Sequence, residues 1–230
     1  MARKQKKRRA LTACLVFGLL LALGAGGWYL REHGRALYVR LRFGIETVTS
    51  PLDANRNGRD DLTDLVLGAR EYILTQPEYV DGYYAGGYPP EGEGVCTDVI
   101  WHAFFAAGYD LKALVDEDIR RATDAYPLSG QIDTNIDFRR VTNLLVFFER
   151  SGCQKLSCEP GDWAEWQPGD IVIFEGHIAL VSDRRNDEGR PDIIHHAGYG
   201  AFEEDALDYK TIVGHYRWIP AEGTEWSFAR

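Results

Sequence analysis

One cysteine of the chain lies where a nucleophile gains most from its position. Cys96 stands where the loop sequence GEG changes to VCTDVIWHAFFAA, an apolar pattern typical of a helix. The free N–H groups and the dipole at a helix N-terminus stabilise a thiolate, which is the attacking form of cysteine. Such a nucleophile also needs a base and a group that orients the base. His177 opens one predicted strand and His195 lies in the next, and neighbouring antiparallel strands can bring the two rings together.

The N-terminus has the composition of a membrane anchor. The first ten residues hold six Lys and Arg and no acid, and residues 11–30 carry no charge. Twenty helical residues rise about 30 Å, which is the thickness of a bilayer core. The positive-inside rule predicts cytoplasmic residues 1–10, a transmembrane helix over 11–30 and an extracytoplasmic remainder. The alternative is a cleaved signal peptide, because small residues cluster in ALGAGG.

The charge of the remainder argues against a nucleic-acid partner. Without the first ten residues, 20 Lys and Arg face 35 Asp and Glu. A body so acidic lacks the basic surface that displaces counterions from phosphate. No phosphate loop and no zinc-type spacing of Cys and His is present, so the sequence predicts no nucleotide and no transition metal.

The other cysteines leave Cys96 without a partner. Cys14 lies within the predicted anchor, while Cys153 and Cys158 are five residues apart in a loop bounded by Gly and Pro. A small-loop disulfide between these two is plausible on the oxidising side of a membrane. An unpaired extracellular cysteine is either buried and inert or kept for its reactivity. The interpretation without chemistry, a core thiol and two satisfied strand histidines, therefore stays open.

The elements that must position these residues follow from a change of period along the chain. Helical spacing of apolar residues predicts helices over 61–75, 96–108, 111–126 and 137–152. Two apolar runs broken at EGH then predict a hairpin over 169–183, followed by strands in DIIHHAG and TIVGHYRWI. Helices followed by an antiparallel meander predict an α+β domain over 52–220, with a connector at 31–51 and a tail at 221–230.

Several linked motifs resemble the papain-like NlpC superfamily of cell-wall cysteine peptidases. They are YYAGG with Tyr83, GVCTD with Cys96, QPGDIVIF, GHIALVSD with His177, and IIHHAG with His195. More closely, AGGYPPEGEGVCTDVIW, IDFRRVTNLLVFF, EWQPGDIVIF and IVGHYRW resemble the bacterial family called domain of unknown function 1287. The resemblance covers roughly residues 52–220, and linked motifs are more specific than any single one.

The resemblance implies a role for each matched residue. Cys96 is expected to be the nucleophile, His177 its base and later acid, and His195 the group that holds the His177 imidazole in the useful tautomer. Tyr83 is a candidate second oxyanion group beside the Cys96 N–H. The chain departs from the superfamily's usual Asp-Cys-Ser-Gly, because Asp98 replaces the glycine. The doubled histidine leaves His196 as an alternative third member, since alternation sends neighbouring side chains to opposite faces of the sheet.

Residues 53–64, DANRNGRDDLTD, fit the twelve-residue calcium loop in outline. The loop departs from the EF-hand because its last ligand is Asp instead of the longer Glu, which predicts weak binding. The alternative is an Asx- and Gly-rich turn that caps the following helix. Calcium would be structural, and catalysis would need no cofactor. The predicted ligands are Asp53, Asn55, Asn57, Arg59, Asp61 and Asp64.

Together these features predict a membrane-anchored, extracytoplasmic cysteine hydrolase. The resemblance implies that its substrate is peptidoglycan or another cell-wall amide, with cleavage of an amide bond in the stem peptide. The alternative is a non-catalytic surface binding or assembly module on the same fold. That alternative predicts that Cys96 is buried or has an ordinary thiol pKa, and that His177 and His195 do not face it.

Overall fold

The structure is a computed structural model that describes residues 26–27, 34–159 and 161–221. The chain divides into two compact units, Met1–Glu46 and Thr47–Arg230. In the first unit residues 34–43 are helical (α1). The predicted anchor at 11–30, apart from residues 26–27, lies outside the described residues, as do the basic segment 1–10 and the tail from residue 222. Within the described ranges, no helix is both long and apolar enough to cross a bilayer.

The second unit is a mixed α+β domain with four α-helices and a six-stranded antiparallel sheet in its described residues. Two short 3₁₀ turns, Thr123–Ala125 and Asp137–Arg139, precede the last helix. The helices are α2 (Asp61–Leu74), α3 (Cys96–Ala106), α4 (Leu111–Arg121) and α5 (Val141–Arg150). The strands are β1 (Glu78–Tyr79), β2 (Glu93–Gly94), β3 (Cys153–Lys155), β4 (Ile171–Phe174), β5 (His177–Arg185), β6 (Pro191–Ala197), β7 (Gly200–Glu204) and β8 (Ile212–Pro220).

The helix predictions are confirmed, with ends that differ by a few residues. The prediction for 61–75 matches α2, whose first turn is capped by the Asp60 carboxylate accepting from Thr63 N–H. The prediction for 96–108 matches α3, which begins at Cys96 as expected. The predicted helices over 111–126 and 137–152 each consist of an α-helix and one of the 3₁₀ turns, so both α-helices are shorter than predicted.

The predicted four-strand meander is wrong in its order. The sheet order is β3-β8-β4-β5-β6-β7, so the strand in TIVGHYRWI returns to pair with β4 instead of following β6. On the side away from β5, β6 pairs with β7, a five-residue strand that the periodicity did not indicate. The predicted hairpin is present as β4 and β5, joined by Glu175 and Gly176, and Gly176 has a positive φ of 73°.

Both faces of the sheet are buried. Ile171, Ile178 and Leu180 pack against the helices. Val172, Ala179 and Ile193 belong to a second cluster with Trp166 and Leu207. Adjacent side chains on β5 and β6 therefore enter different packed layers, so that the position of a residue along a strand decides which layer it contacts.

Candidate functional site

The first turn of α3 is held by a buried ion pair. Asp98 accepts a hydrogen bond from Val95 N–H at 2.7 Å and so caps the helix on which Cys96 is the first residue. Both carboxylate oxygens of Asp98 also accept from the Arg139 guanidinium, at 2.9 and 2.8 Å. Arg139 in turn donates to the Gly82 carbonyl at 2.9 Å. Asp98 is fully buried, and these contacts anchor the first turn of α3.

The Cys96 thiol lies at the junction of α3 and β5. Its side chain is buried, and the backbone N–H groups of Ile178, Thr97 and Cys96 itself hydrogen-bond to the sulfur. The paired register of β5 and β6 begins at Leu180↔Ile194, beyond Ile178. Burial raises the pKa of Cys96 to about 11, although the three N–H donors act in the opposite direction. The resting sulfur is therefore a neutral thiol that already faces donors able to stabilise its anion.

The two predicted histidines are joined directly. His177 Nε2 and His195 Nδ1 are 2.8 Å apart, and both rings are buried. Burial, followed by the neighbouring charges of His195 and Lys210, lowers the pKa of His177 to about 3. Burial also lowers the pKa of His195. An imidazole with so low a pKa stays neutral at physiological pH, and burial makes it a weaker base than a free histidine.

Sequence reasoning missed the residue that holds His195. Glu204 Oε1 lies 2.9 Å from His195 Nε2 and also accepts from the Tyr199 hydroxyl at 2.7 Å. Burial raises the pKa of Glu204, but the hydrogen bonds from His195 and Tyr199 outweigh it and leave that pKa below its ordinary value. We call the set His177, His195, Glu204 and Tyr199 the histidine relay.

The alternative third residue, His196, lies elsewhere. Its ring is fully buried and meets the Tyr79 ring edge-on, with centroids 5.1 Å apart. Neither of its ring nitrogens has a hydrogen-bond partner among the described residues. Because side chains alternate along β6, His195 lies on the same face of the sheet as the relay and His196 lies on the opposite face.

Tyr83, the predicted oxyanion group, is 62% exposed and engaged with another loop. Its hydroxyl donates to Asp133 at 3.0 Å and accepts from the Asn135 amide at 2.9 Å. The tyrosine that interacts with the thiol is Tyr79, whose pKa is raised to about 12 by burial and next by the Cys96 charge. The oxyanion role of Tyr83 stays a prediction, and Tyr79 is a second candidate.

The predicted calcium loop is closed by its own hydrogen bonds. Asp64 Oδ2 accepts from the amides of Asn55 and Asn57 at 2.7 and 2.8 Å, and Arg59 lies 3.6 Å from Asp64 Oδ1. The Asp53 carboxylate accepts from two backbone N–H groups of the loop, at Asn57 and Gly58. The remaining predicted ligand, Asp61, accepts hydrogen bonds from the Tyr109 hydroxyl and from the backbone N–H of residue 54. In the described part of the chain, no group of three or more His, Cys, Asp or Glu side chains is arranged to hold a metal ion.

The disulfide considered for Cys153 and Cys158 is not formed. Both thiols are free, as is Cys96. Cys153 begins β3 and points into the domain, where its Sγ donates to the Phe148 carbonyl at 3.4 Å. Pairing with β8 thus directs Cys153 toward the end of α5.

Two other histidines have packing roles. His102 stacks on Tyr72 and Trp101, with ring centroids 4.1 and 3.6 Å away, and burial lowers its pKa to about 4. His215 lies 2.9 Å from Asp170 and stacks on a buried tryptophan of the second cluster. Neither residue is hydrogen-bonded to a member of the relay.

Comparisons with known proteins agree with the closer of the two resemblances. Residues 66–218 match the family model described as domain of unknown function (DUF1287). The chain is 40% identical over 165 residues to the uncharacterized protein YijF of Escherichia coli (strain K12), an alignment that covers 66% of this chain and 79% of that protein. No solved structure gives a significant match. The chain therefore belongs to the DUF1287 family of proteins.

Proposed function

We propose that this protein is a cysteine hydrolase in which Cys96 is the nucleophile and His177 the base. One observation carries the proposal: the thiol accepts from the backbone N–H of Ile178, next to His177, and His177 is itself held by His195. The proposal requires the His177 imidazole, which by alternation along β5 points away from Ile178, to reach the thiol around the start of the strand. The papain-like NlpC-type fold, which the motifs imply, belongs to this proposal.

Cys96 and His177 are both neutral at rest, and this determines when the proton moves. The raised pKa of Cys96 and the lowered pKa of His177 disfavour a resting thiolate–imidazolium pair. The thiol proton therefore has to transfer to His177 in the same step in which sulfur attacks the substrate carbonyl. Collapse of the tetrahedral intermediate breaks the C–N bond, and the leaving amine takes that proton from His177. Water then attacks the thioester while His177 accepts a proton from it, which releases the acid and regenerates the thiol.

The substrate and the location follow from the motifs and the N-terminal sequence. We propose that the bond is an amide in peptidoglycan stem peptides and that residues 11–30 anchor the domain outside the cytoplasmic membrane. The acidic body disfavours a polyanion such as nucleic acid, and the exposed aromatic side chains of Tyr79, Tyr199 and Tyr209 can pack against sugar and peptide groups.

The test is the rate of Cys96 alkylation by iodoacetamide as a function of pH, read by mass spectrometry of the Cys96 peptide. In the full-length chain in detergent, we expect the rate between pH 5 and pH 8 to depend on pH less steeply than the roughly tenfold per pH unit of an uncoupled thiol, because a neutral His177 removes the Cys96 proton during the attack without bulk base. His177→Ala should lower the rate at pH 7 at least about tenfold, because only bulk base then removes the proton.

His102→Gln is the matched control, because His102 is a partly buried histidine of α3 that stands outside the relay. It should leave the alkylation profile unchanged. A rate that falls about tenfold per pH unit below pH 8, as for an uncoupled thiol, and that ignores His177→Ala would overturn the hydrolase proposal. The non-catalytic binding module would then be the better explanation.

We also propose that the loop over 53–64 binds calcium weakly, as a structural ion. Calcium must displace the hydrogen bonds that Asn55 and Asn57 make with Asp64, so a millimolar affinity is expected. At ten times the dissociation constant, the ion would stabilise the domain by about 1.4 kcal/mol. The measurement is the unfolding temperature in 10 mM Ca²⁺, with Mg²⁺ as the control ion. An equal shift with both ions, or none with calcium, contradicts the site.

A further inference from the structure

We propose that Glu204, with Tyr199, is a positioning group that sets the tautomers of both relay histidines and so makes Nδ1 of His177 the proton acceptor. The inference rests on the proposed function, because it identifies the atom that takes the Cys96 proton. It adds a fourth and a fifth member to the three residues that the motifs imply. The chain of contacts runs through distances of 2.8, 2.9 and 2.7 Å.

The direction of the hydrogen bonds follows from the carboxylate. An ionised carboxylate only accepts, so the contact of 2.9 Å with Glu204 requires a proton on His195 Nε2. A neutral imidazole carries one N–H, so His195 Nδ1 is then an acceptor. The contact of 2.8 Å with His177 Nε2 therefore requires the proton on that nitrogen. The lone pair of a neutral His177 remains on Nδ1, which makes Nδ1 the basic atom.

Among the residues that the structure describes, the Glu204 carboxylate interacts with members of the relay and not with a cationic side chain. The groups that influence its pKa are His195, on the adjacent strand β6, and Tyr199, in the turn before β7. Its neighbour Glu203 is ion-paired with Arg70 and Arg184. Glu204 forms no ion pair with a lysine or arginine anywhere in the described ranges, so its charge is not neutralised by a cation.

Tyr199 completes the arrangement at the surface. Its hydroxyl donates to the same oxygen, Oε1, that accepts from His195, and its side chain is exposed. This hydrogen bond favours the ionised form of Glu204, and a carboxylate that stays ionised can only accept. Removing the hydroxyl should therefore weaken the tautomer preference without reversing it.

The experiment is long-range ¹⁵N NMR of the histidine rings in the full-length chain at neutral pH, with alkylation of Cys96 recorded in parallel. In the unmodified protein, Nδ1 of His177 and of His195 should have the shift of an unprotonated nitrogen, and both Nε2 atoms that of an N–H. In Glu204→Gln the amide can donate as well as accept, so both tautomers should be populated and alkylation at pH 7 should fall at least about tenfold. Tyr199→Phe should produce a smaller shift in the same direction.

Glu175→Gln is the matched control, because it removes the same charge from an exposed residue two positions before His177. It should change neither readout. Glu204→Asp, which keeps a carboxylate, should restore part of the tautomer preference. A proton on His177 Nδ1 in the unmodified protein, or tautomers that do not respond to Glu204→Gln, overturns the inference. Expected tautomers together with an unreactive Cys96 would instead refute the hydrolase proposal and leave the tautomer assignment intact.

Discussion

Cys96→Ala is expected to abolish hydrolysis, with a loss of at least about 10⁴ in kcat. In the proposed mechanism Cys96, His177 and His195 act as one unit. Removing the nucleophile of that unit leaves only the rate enhancement from substrate binding and oxyanion stabilisation. The buried thiol is small, and α3 is capped by Asp98 and not by Cys96 itself, so the fold should persist. The assay is release of peptides from purified peptidoglycan, followed by liquid chromatography and mass spectrometry.

Cys158→Ala is the matched control for this loss. Cys158 is a free thiol that follows β3 and is less buried than Cys96. Its replacement should leave the hydrolysis rate unchanged, which separates loss of the nucleophile from loss of any thiol. Equal activity of Cys96→Ala and the unmodified chain on a substrate that the chain cleaves would show that Cys96 is not the nucleophile.

Asp98→Ala should lower the free energy of unfolding by about 3–5 kcal/mol. The substitution leaves the Arg139 guanidinium buried without its counter-charge, and breaking a buried pair from one side costs this much. It also removes the acceptor of the Val95 N–H, a capping contact of about 1 kcal/mol, and of the Trp101 indole N–H. The measurement is urea denaturation followed by tryptophan fluorescence and circular dichroism.

Two further variants test whether this loss of stability comes from the buried ion pair. Asp98→Ala combined with Arg139→Met removes both charges and should recover part of the stability, because no uncompensated charge remains. Glu117→Ala breaks the exposed i,i+4 pair with Arg121 on α4 and should cost no more than about 0.5 kcal/mol. A cost below about 1 kcal/mol for Asp98→Ala would show that the ion pair does not hold the first turn of α3.

The helices and the position of Cys96 at the start of α3 could be predicted from local sequence. Apolar residues at helical spacing and a change from GEG to an apolar run place the start of α3 at Cys96 within one turn. These signals are local because a helix hydrogen-bonds within its own segment. The alternation rule also required that His195 and His196 enter different faces of the sheet, although sequence alone did not assign a face to each.

The strand order and Glu204 could not be predicted in the same way. The contact between Glu204 and His195 depends on the pairing of β6 with β7, in which His195 lies opposite Phe202. That register is set by a turn and by side chains on other strands, not by the five residues of β7 themselves. The ion pair of Asp98 could not be predicted for a related reason, because its partner Arg139 lies 41 residues away along the chain.

The position of β7 at the end of the sheet has a consequence for how the protein would lose activity. A terminal strand of five residues, paired on one side only, opens at a lower free energy than the central strands. Such an opening would carry Glu204 away from His195 while the layers around β4 and β5 remain intact. Under the proposed mechanism, inactivation and global denaturation are therefore separable events, and the inactive species would retain nearly all of its native secondary structure.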